Sequence, residues 1–198
     1  MGEGADLEKF SKTVRNLAHA TGAVFVQCEP LSDIEIPGFS KGEYRHFLEK
    51  TTLLVDLRPS EDEILAQMKE KGRYNVRLAI KRGVTVRKSD GNGVDVNAFF
   101  GLLSETLDRD GFSGNSFAYY RELVDALNAA DAGGLFIAEK DGCPVAAAIA
   151  TFFGGTATYY YGASTSDNEK RRDMPAYALQ WEMMLEGKRR GCETYDFL

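Results

Sequence analysis

A cluster of basic side chains within residues 71–83 is the group in this chain best placed to bind or orient a charged ligand. Arg73, Arg77 and Lys81 recur at four-residue spacing, which places three cations on one face of a helix. Gly83 ends such a helix before a β-branched segment. The net charge of the chain is -6, so this basic face indicates either a local anion site or an ordinary solvated helix surface.

Two other features carry polar groups that suit a site. Tyr159, Tyr160 and Tyr161 are consecutive; on a regular strand Tyr159 and Tyr161 share one face, and Tyr160 points the opposite way. Asp196 lies near the end of the last predicted strand. Its carboxylate suits a base or a group that orients a substrate, and it equally suits a structural hydrogen bond.

The cysteines and histidines do not predict a metal site. Cys28, Cys143 and Cys192 are an odd set with wide spacing, which argues against a disulfide framework or a zinc site and favours reduced thiols in a cytosolic protein. His19 and His46 are too few for a histidine-based metal site. We therefore expect no metal.

Composition limits the broad class. A chain of 198 residues with 43% hydrophobic residues can bury a core. The acidic balance argues against broad, nonspecific nucleic-acid binding, although a local basic patch could hold RNA or phosphate. The sequence contains no apolar run of the roughly 18 residues that span a bilayer, and its start lacks an apolar signal region. We expect a cytoplasmic protein.

Hydrophobic periodicity and turn residues predict the elements that position these groups. Ser60 and Glu63 match a capping box, and Pro175 suits the first turn of a helix. The pattern predicts helices at 5–20, 60–68, 71–82, 95–108, 116–130 and 175–190, strands at 23–28, 51–57, 84–87, 134–140, 144–153, 156–161 and 193–198, and an irregular loop at 29–50.

Five segments, in this order, resemble the FemABX-like peptidyltransferases. They are Thr52–Leu57, Arg73–Ala79, Tyr159–Ser164, Met174–Glu182 and Gly191–Phe197. The short helices between Pro59 and Gly83 are typical of the subgroup without a coiled-coil arm. The resemblance implies an α/β fold with a mixed sheet: a GNAT-type acyltransferase lobe at 84–198 that lacks its last strands, and the closing part of a first related lobe with connecting helices at 1–83.

The resemblance implies an aminoacyltransferase without a cofactor. Members of the family transfer an amino acid from aminoacyl-tRNA to an amine on the stem peptide of a lipid-linked or nucleotide-linked peptidoglycan precursor. A neutral amine attacks an ester carbonyl, which requires positioning, a proton acceptor and stabilisation of the oxyanion.

The resemblance also assigns residues to the site. It implies substrate-binding roles for Arg73, Asn75, Arg77, Tyr120, Tyr159 and Tyr161. Asn75 is equally suited to joining two helices, and the three tyrosines are equally suited to aromatic packing. Tyr119 is predicted to pack, and Asn115 and Ser116 replace an arginine that some relatives use.

The segment before Pro175 bears on the acyl donor. Lys170, Arg171 and Arg172 suit contacts to tRNA or phosphate, or a solvated surface. This place holds a glycine-rich pyrophosphate loop in GNAT enzymes that use coenzyme A. No such loop is present here, which argues against an acyl-CoA donor.

Two departures from the family lead to alternative functions. The sequence begins partway through the first lobe and stops at Leu198, before the lysine-bearing tail of the family, so we expect weak or no catalysis from this chain alone. One alternative is a GNAT-type N-acyltransferase acting on another amine. The other is a non-catalytic fragment that associates through exposed sheet edges, for example as a homodimer.

Overall fold

A computed structural model describes residues 6–30, 33–42 and 51–198. The chain divides into two compact units, residues 1–50 and residues 51–198. We expected a division at residue 83, but β1, α2 and α3 (bounds below) belong to the same compact unit as residues 84–198. The assignment of residues 1–83 to a first related lobe stays a prediction.

The first unit contains one helix, α1 (Leu7–Thr21), among its described residues. The Asp6 side chain caps its start, and Gly22 ends it in a left-handed conformation. The strand predicted at 23–28 is wrong: this segment has no regular structure, and Val24 is 97% exposed. An apolar run becomes a buried strand only with a pairing partner. Part of the predicted loop at 29–50, including His46, lies outside the described residues.

The second unit contains six strands and six helices among its described residues. They follow the order β1 (Leu54–Asp56), α2 (Glu61–Gln67), α3 (Glu70–Lys81), β2 (Thr85–Lys88), α4 (Gly93–Asp110), α5 (Phe117–Ala129), β3 (Gly133–Lys140), β4 (Cys143–Phe153), β5 (Thr156–Ser164), α6 (Asn168–Arg171), α7 (Pro175–Arg189) and β6 (Thr194–Asp196).

The strands form one mixed sheet in the order β1-β6-β5-β4-β3-β2. Only β5 and β6 run parallel, and the other neighbours are antiparallel. The connection from β5 through α7 to β6 supplies the helical crossover that a parallel pair requires. The outer strands are β1 and β2, and pairing of two copies through these edges stays a prediction.

Helices cover the two faces of the sheet with separate cores. One face packs on α3 and α7 around Phe136, Met183 and Tyr195. The other packs on α4 and α5 around Phe99 and Ile149. Two-sided burial explains the continuous apolar run along β4, in which both sets of alternating side chains are covered.

Candidate active site at the parallel strand pair

The parallel pair β5–β6 separates along its length. Thr156–Thr158 of β5 pair with residues 194–196 of β6, whereas β5 continues to Ser164. Beyond Thr158, the edge of β5 that faces β6 has no strand partner among the described residues. Backbone N–H and C=O groups along such an edge can hydrogen-bond an extended ligand.

A β-bulge lies beside this opening. Ile149 pairs with Tyr161 and the next residue, Ala150, pairs with Tyr159, so Tyr160 is an extra residue in β5. Tyr159 therefore packs on the α3/α7 face and Tyr161 on the α4/α5 face. The prediction that Tyr159 and Tyr161 share a face is wrong, because the inserted residue reverses the alternation of side chains.

A phenol cluster gathers on the α4/α5 face. The hydroxyl oxygens of Tyr119 and Tyr161 lie 3.2 Å apart, and the ring of Tyr161 contacts those of Tyr120 and Tyr160 at centroid distances of 5.1 and 4.6 Å. Tyr120 is only 2% exposed, and its hydroxyl accepts a hydrogen bond from the backbone N–H of Asn115. Tyr119 and Tyr160 are 38% and 39% exposed, so they form the surface of the cluster.

Burial favours the neutral form of the Tyr159, Tyr160 and Tyr161 phenols. Burial raises the pKa of Tyr161 far above its ordinary value, and the hydrogen bond with Tyr119 raises it further. Burial also raises the pKa of Tyr159 and of Tyr160. A neutral phenol donates or accepts hydrogen bonds, so Tyr160 and Tyr161 can orient a carbonyl or an amine.

Sequence reasoning missed two members of this cluster. Tyr119 was predicted only to pack, yet its hydroxyl reaches Tyr161. Tyr160 was placed on the face opposite Tyr161, yet their rings are in contact. The signal for Tyr119 is the Ser116 N-cap: the Ser116 side chain accepts a hydrogen bond from the backbone N–H of Tyr119, which fixes the start of α5.

Asp196 lies where β6 ends and is 8% exposed. Its carboxylate accepts hydrogen bonds from the Thr52 hydroxyl at 2.6 Å and from the backbone N–H of Leu198 at 2.9 Å. These bonds join the segment before β1 to the end of the chain. The contacts match the structural alternative for Asp196, and its assignment as a base stays a prediction.

The basic residues of α3 have different surroundings. Arg73 donates from Nη1 to the backbone carbonyl of Met68, so its guanidinium helps to close the turn after α2. Asn75 is 4% exposed on the buried side of the helix. Arg77 and Lys81 are exposed. The predicted stripe therefore retains two solvent-facing cations, Arg77 and Lys81, and the substrate-binding roles of Arg73, Asn75 and Arg77 stay predictions.

The segment 167–173 contains the short helix α6. The Asp167 carboxylate accepts hydrogen bonds from the backbone N–H groups of Glu169 and Lys170. Arg172 pairs with Glu169 at 2.7 Å, whereas Lys170 and Arg171 are exposed. A carboxylate thus occupies the amides at the start of α6, where a bound phosphate would meet like charge.

Neither a metal cluster nor a membrane-spanning helix occurs in the part of the chain that the structure describes. In residues 6–30, 33–42 and 51–198, no three His, Cys, Asp or Glu side chains are grouped to hold a metal ion. No helix in these ranges is long and apolar enough to cross a bilayer.

Comparison with known proteins identifies the family. Residues 67–198 match the model of the acetyltransferase (GNAT) domain. The lipid II:glycine glycyltransferase of Staphylococcus epidermidis is 23% identical over 81% of this chain and 52% of its own length. The Staphylococcus aureus protein of that name is 32% identical over 52% of this chain and 24% of its own length.

A solved structure shares the fold. The crystal structure of FemX superposes with a TM-score of 0.69, at 24% identity, over 74% of this chain and 52% of that chain. The chain thus spans about half the length of the Staphylococcus epidermidis protein and of FemX. The α/β fold with a mixed sheet and the resemblance to FemABX-like proteins are confirmed. The chain belongs to the acetyltransferase (GNAT) domain family.

Proposed function

We propose that this protein is an aminoacyltransferase that joins an amino acid to a peptidoglycan precursor. The observation that carries the proposal is the sequence similarity to lipid II:glycine glycyltransferases over 81% of the chain. The acceptor is an amine on the stem peptide of lipid II, and the donor is an aminoacyl-tRNA. A charged tRNA donor places the reaction in the cytoplasm.

The reaction exchanges one acyl bond for another. The neutral acceptor amine attacks the ester carbonyl of the donor, the carbon–nitrogen bond forms, and the carbon–oxygen bond to the terminal ribose breaks. The amine loses a proton and the ribose oxygen gains one, so no cofactor is required. The edge of β5 beyond Thr158, which has no strand partner among the described residues, supports this proposal because an extended peptide can lie along it.

Within this proposal, the substrate binds to Tyr161, Tyr119 and Tyr160. The three phenol groups lie together beside the end of the β5–β6 pairing, where their hydroxyls can hydrogen-bond a substrate. Tyr159 lies on the opposite face of the sheet, so we assign it to packing. Tyr120 supports the cluster from beneath, since it is buried against Tyr161.

A transfer assay tests the proposal. The complete gene product that contains these 198 residues is incubated with tRNA charged with radiolabelled amino acid and with lipid II in detergent. We expect label in the lipid fraction, in a product heavier by one aminoacyl residue. An absence of labelled lipid with each charged tRNA tried, from a protein shown to be folded, would contradict it.

The alternative of an acyl-CoA-dependent N-acyltransferase has one supporting observation, the GNAT family match itself. The Asp167 carboxylate on the amides of α6 opposes it, because it repels a pyrophosphate there. Titration with acetyl-CoA separates the two functions. We expect no saturable binding at micromolar concentration, and tight binding would favour the alternative.

A further inference from the structure

The outer side of α3 combines exposed apolar and basic side chains. Tyr74 and Ile80 are 60% and 56% exposed, and Arg77 and Lys81 are exposed between them around the helix. We call these four residues the α3 patch. The opposite side of α3, with Val76 and Ala79, is buried, and Ala79 belongs to the core on this face of the sheet. A helix anchored by one side can present the other to a partner.

The α6 segment extends the basic surface of the α3 patch. Arg82, which follows α3, donates from Nη1 to the backbone carbonyl of Arg172 and pairs with Asp173 at 3.2 Å. This contact places the end of α3 against the connection between α6 and α7. Lys170 and Arg171 on α6 are therefore neighbours of that end and are also exposed.

The charge of this region opposes that of the whole chain. Residues 70–82 and 167–173 together contain eight Lys and Arg and four Asp and Glu, although the net charge of the chain is -6. In the part of the chain that the structure describes, Arg77 and Lys81 form no ion pair, and neither do Lys170 and Arg171. These four cations are available to an anionic partner.

We propose that the α3 patch, with Lys170 and Arg171, docks the protein onto an anionic lipid surface. The inference rests on the proposed function, since an enzyme that acts on a lipid-linked acceptor must work at a membrane. Cations close to an anionic bilayer are attracted within about one Debye length. Tyrosine and isoleucine side chains enter the headgroup region, where the phenol stays hydrated and the apolar atoms leave water.

The exposed isoleucine favours a lipid partner over RNA. Cations and hydrogen-bond donors bind RNA phosphates, and RNA bases stack on aromatic rings or guanidinium planes. Ile80 gives neither contact, yet it is 56% exposed beside the cations. Transfer of its apolar side chain from water into a lipid phase would stabilise membrane binding, whereas it adds nothing to a phosphate contact.

Vesicle binding tests the inference without any donor or acceptor. The whole chain is mixed with vesicles of phosphatidylcholine alone or with added phosphatidylglycerol, and the bound fraction is measured by sedimentation. We expect binding only to the anionic vesicles, weakened by salt. Each cation near an anionic membrane raises the affinity about fivefold. The variant Arg77→Gln/Lys81→Gln, which removes two cations, should therefore bind about 30-fold more weakly. The variant Tyr74→Ser/Ile80→Ser should bind about tenfold more weakly and retain its salt dependence.

A matched control lies on the other side of the sheet. Val94 is 77% exposed on α4, and Arg121 is a partly exposed cation on α5. The variant Val94→Ser/Arg121→Gln removes one exposed apolar side chain and one cation, and we expect its vesicle affinity to change less than twofold. Circular dichroism establishes that all three variants fold.

Three results would overturn the inference. They are no binding to anionic vesicles, equal loss in the control variant, and loss of RNA binding in Arg77→Gln/Lys81→Gln while vesicle binding is unchanged. The last result would assign the surface to RNA. Because the assay contains neither tRNA nor lipid II, failure to bind vesicles leaves the proposed transfer intact. Vesicle binding can likewise be measured whether or not the protein transfers an aminoacyl group.

Discussion

The two faces of the sheet differ in their polar groups and in how their helices are fixed. On the α4/α5 face, phenol side chains meet at a bulge. On the α3/α7 face, α3 buries one side in the core and exposes basic and apolar side chains on the other. The first arrangement suits hydrogen bonds to a reacting group, and the second suits attraction of a large anion. The difference separates the chemistry of the site from the binding of a partner.

Each face also has its own polar anchor. Arg87 on β2 donates two hydrogen bonds of 2.7 Å to the Asp95 carboxylate of α4, and the Ser89 hydroxyl donates a third. On the other face, Lys188 of α7 donates to three successive backbone carbonyls that follow β1, residues 57–59. The first anchor is an ion pair and the second is an ammonium on neutral oxygens, so they should respond differently to mutation.

Removal of the Asp95 carboxylate should have the largest effect on stability. Asp95 is 4% exposed, and Asp95→Ala removes the acceptor of four side-chain hydrogen bonds, two from Arg87 and one each from Ser89 and Asn92. We expect a loss of about 3 kcal/mol in the free energy of unfolding, measured by urea denaturation. Asp125→Ala, which breaks the exposed pair with Arg121, is the control and should cost less than about 0.5 kcal/mol. Equal losses would refute the anchoring role.

The Asp95 anchor should also depend on pH. Hydrogen bonds from Arg87 lower the pKa of Asp95 to about 2. A depressed pKa means that the stabilisation is complete above the ordinary carboxyl pKa and is lost as pH falls through about 2. The difference in unfolding free energy between wild type and Asp95→Asn should therefore shrink between about pH 4 and pH 2. A constant difference across this range would contradict the account.

Removal of the Lys188 ammonium on the α3/α7 face should reduce stability less than removal of the Asp95 carboxylate. Lys188→Met keeps the aliphatic part of the side chain and removes the donor to three backbone carbonyls. Because water can replace this donor, we expect a loss of about 1–2 kcal/mol in the free energy of unfolding. The control Lys170→Met removes an exposed cation and should change stability by less than about 0.5 kcal/mol. A loss as large as that of Asp95→Ala would show that the two anchors are equivalent.

Removal of a single hydroxyl group should show which face of the sheet contacts the substrate. Tyr161→Phe removes the hydroxyl that meets Tyr119, and we expect kcat/KM for aminoacyl transfer to fall about tenfold, equal to about 1.4 kcal/mol. Tyr159→Phe is the matched control on the other face, with an expected change below twofold. The reverse order would place the substrate on the α3/α7 face.

Local sequence signals predicted most elements of the second unit. The Ser60 capping box forms as expected, and Pro175 opens α7. These features depend on residues a few positions apart. The starts of these helices were therefore predicted accurately. The strand predicted at 193–198 is shorter in the structure and covers only Thr194–Asp196.

The features that the sequence did not predict depend on pairing between distant segments. The bulge at Tyr160 exists only in the register of β5 against β4, and nothing in the three tyrosines alone reveals it. The side-chain bond of Arg73 to Met68 likewise needs the turn between two helices. The apolar segment 23–28 has strand propensity and no partner strand among the described residues, so propensity alone misled.

A donor competition measures the central claim most directly. The complete gene product receives lipid II together with equal concentrations of charged tRNA and acetyl-CoA, and mass spectrometry determines what is attached to the stem-peptide amine. The account predicts an aminoacyl adduct, whose yield falls with Tyr161→Phe and not with Tyr159→Phe. An acetyl adduct, or no adduct while both donors persist, would contradict it.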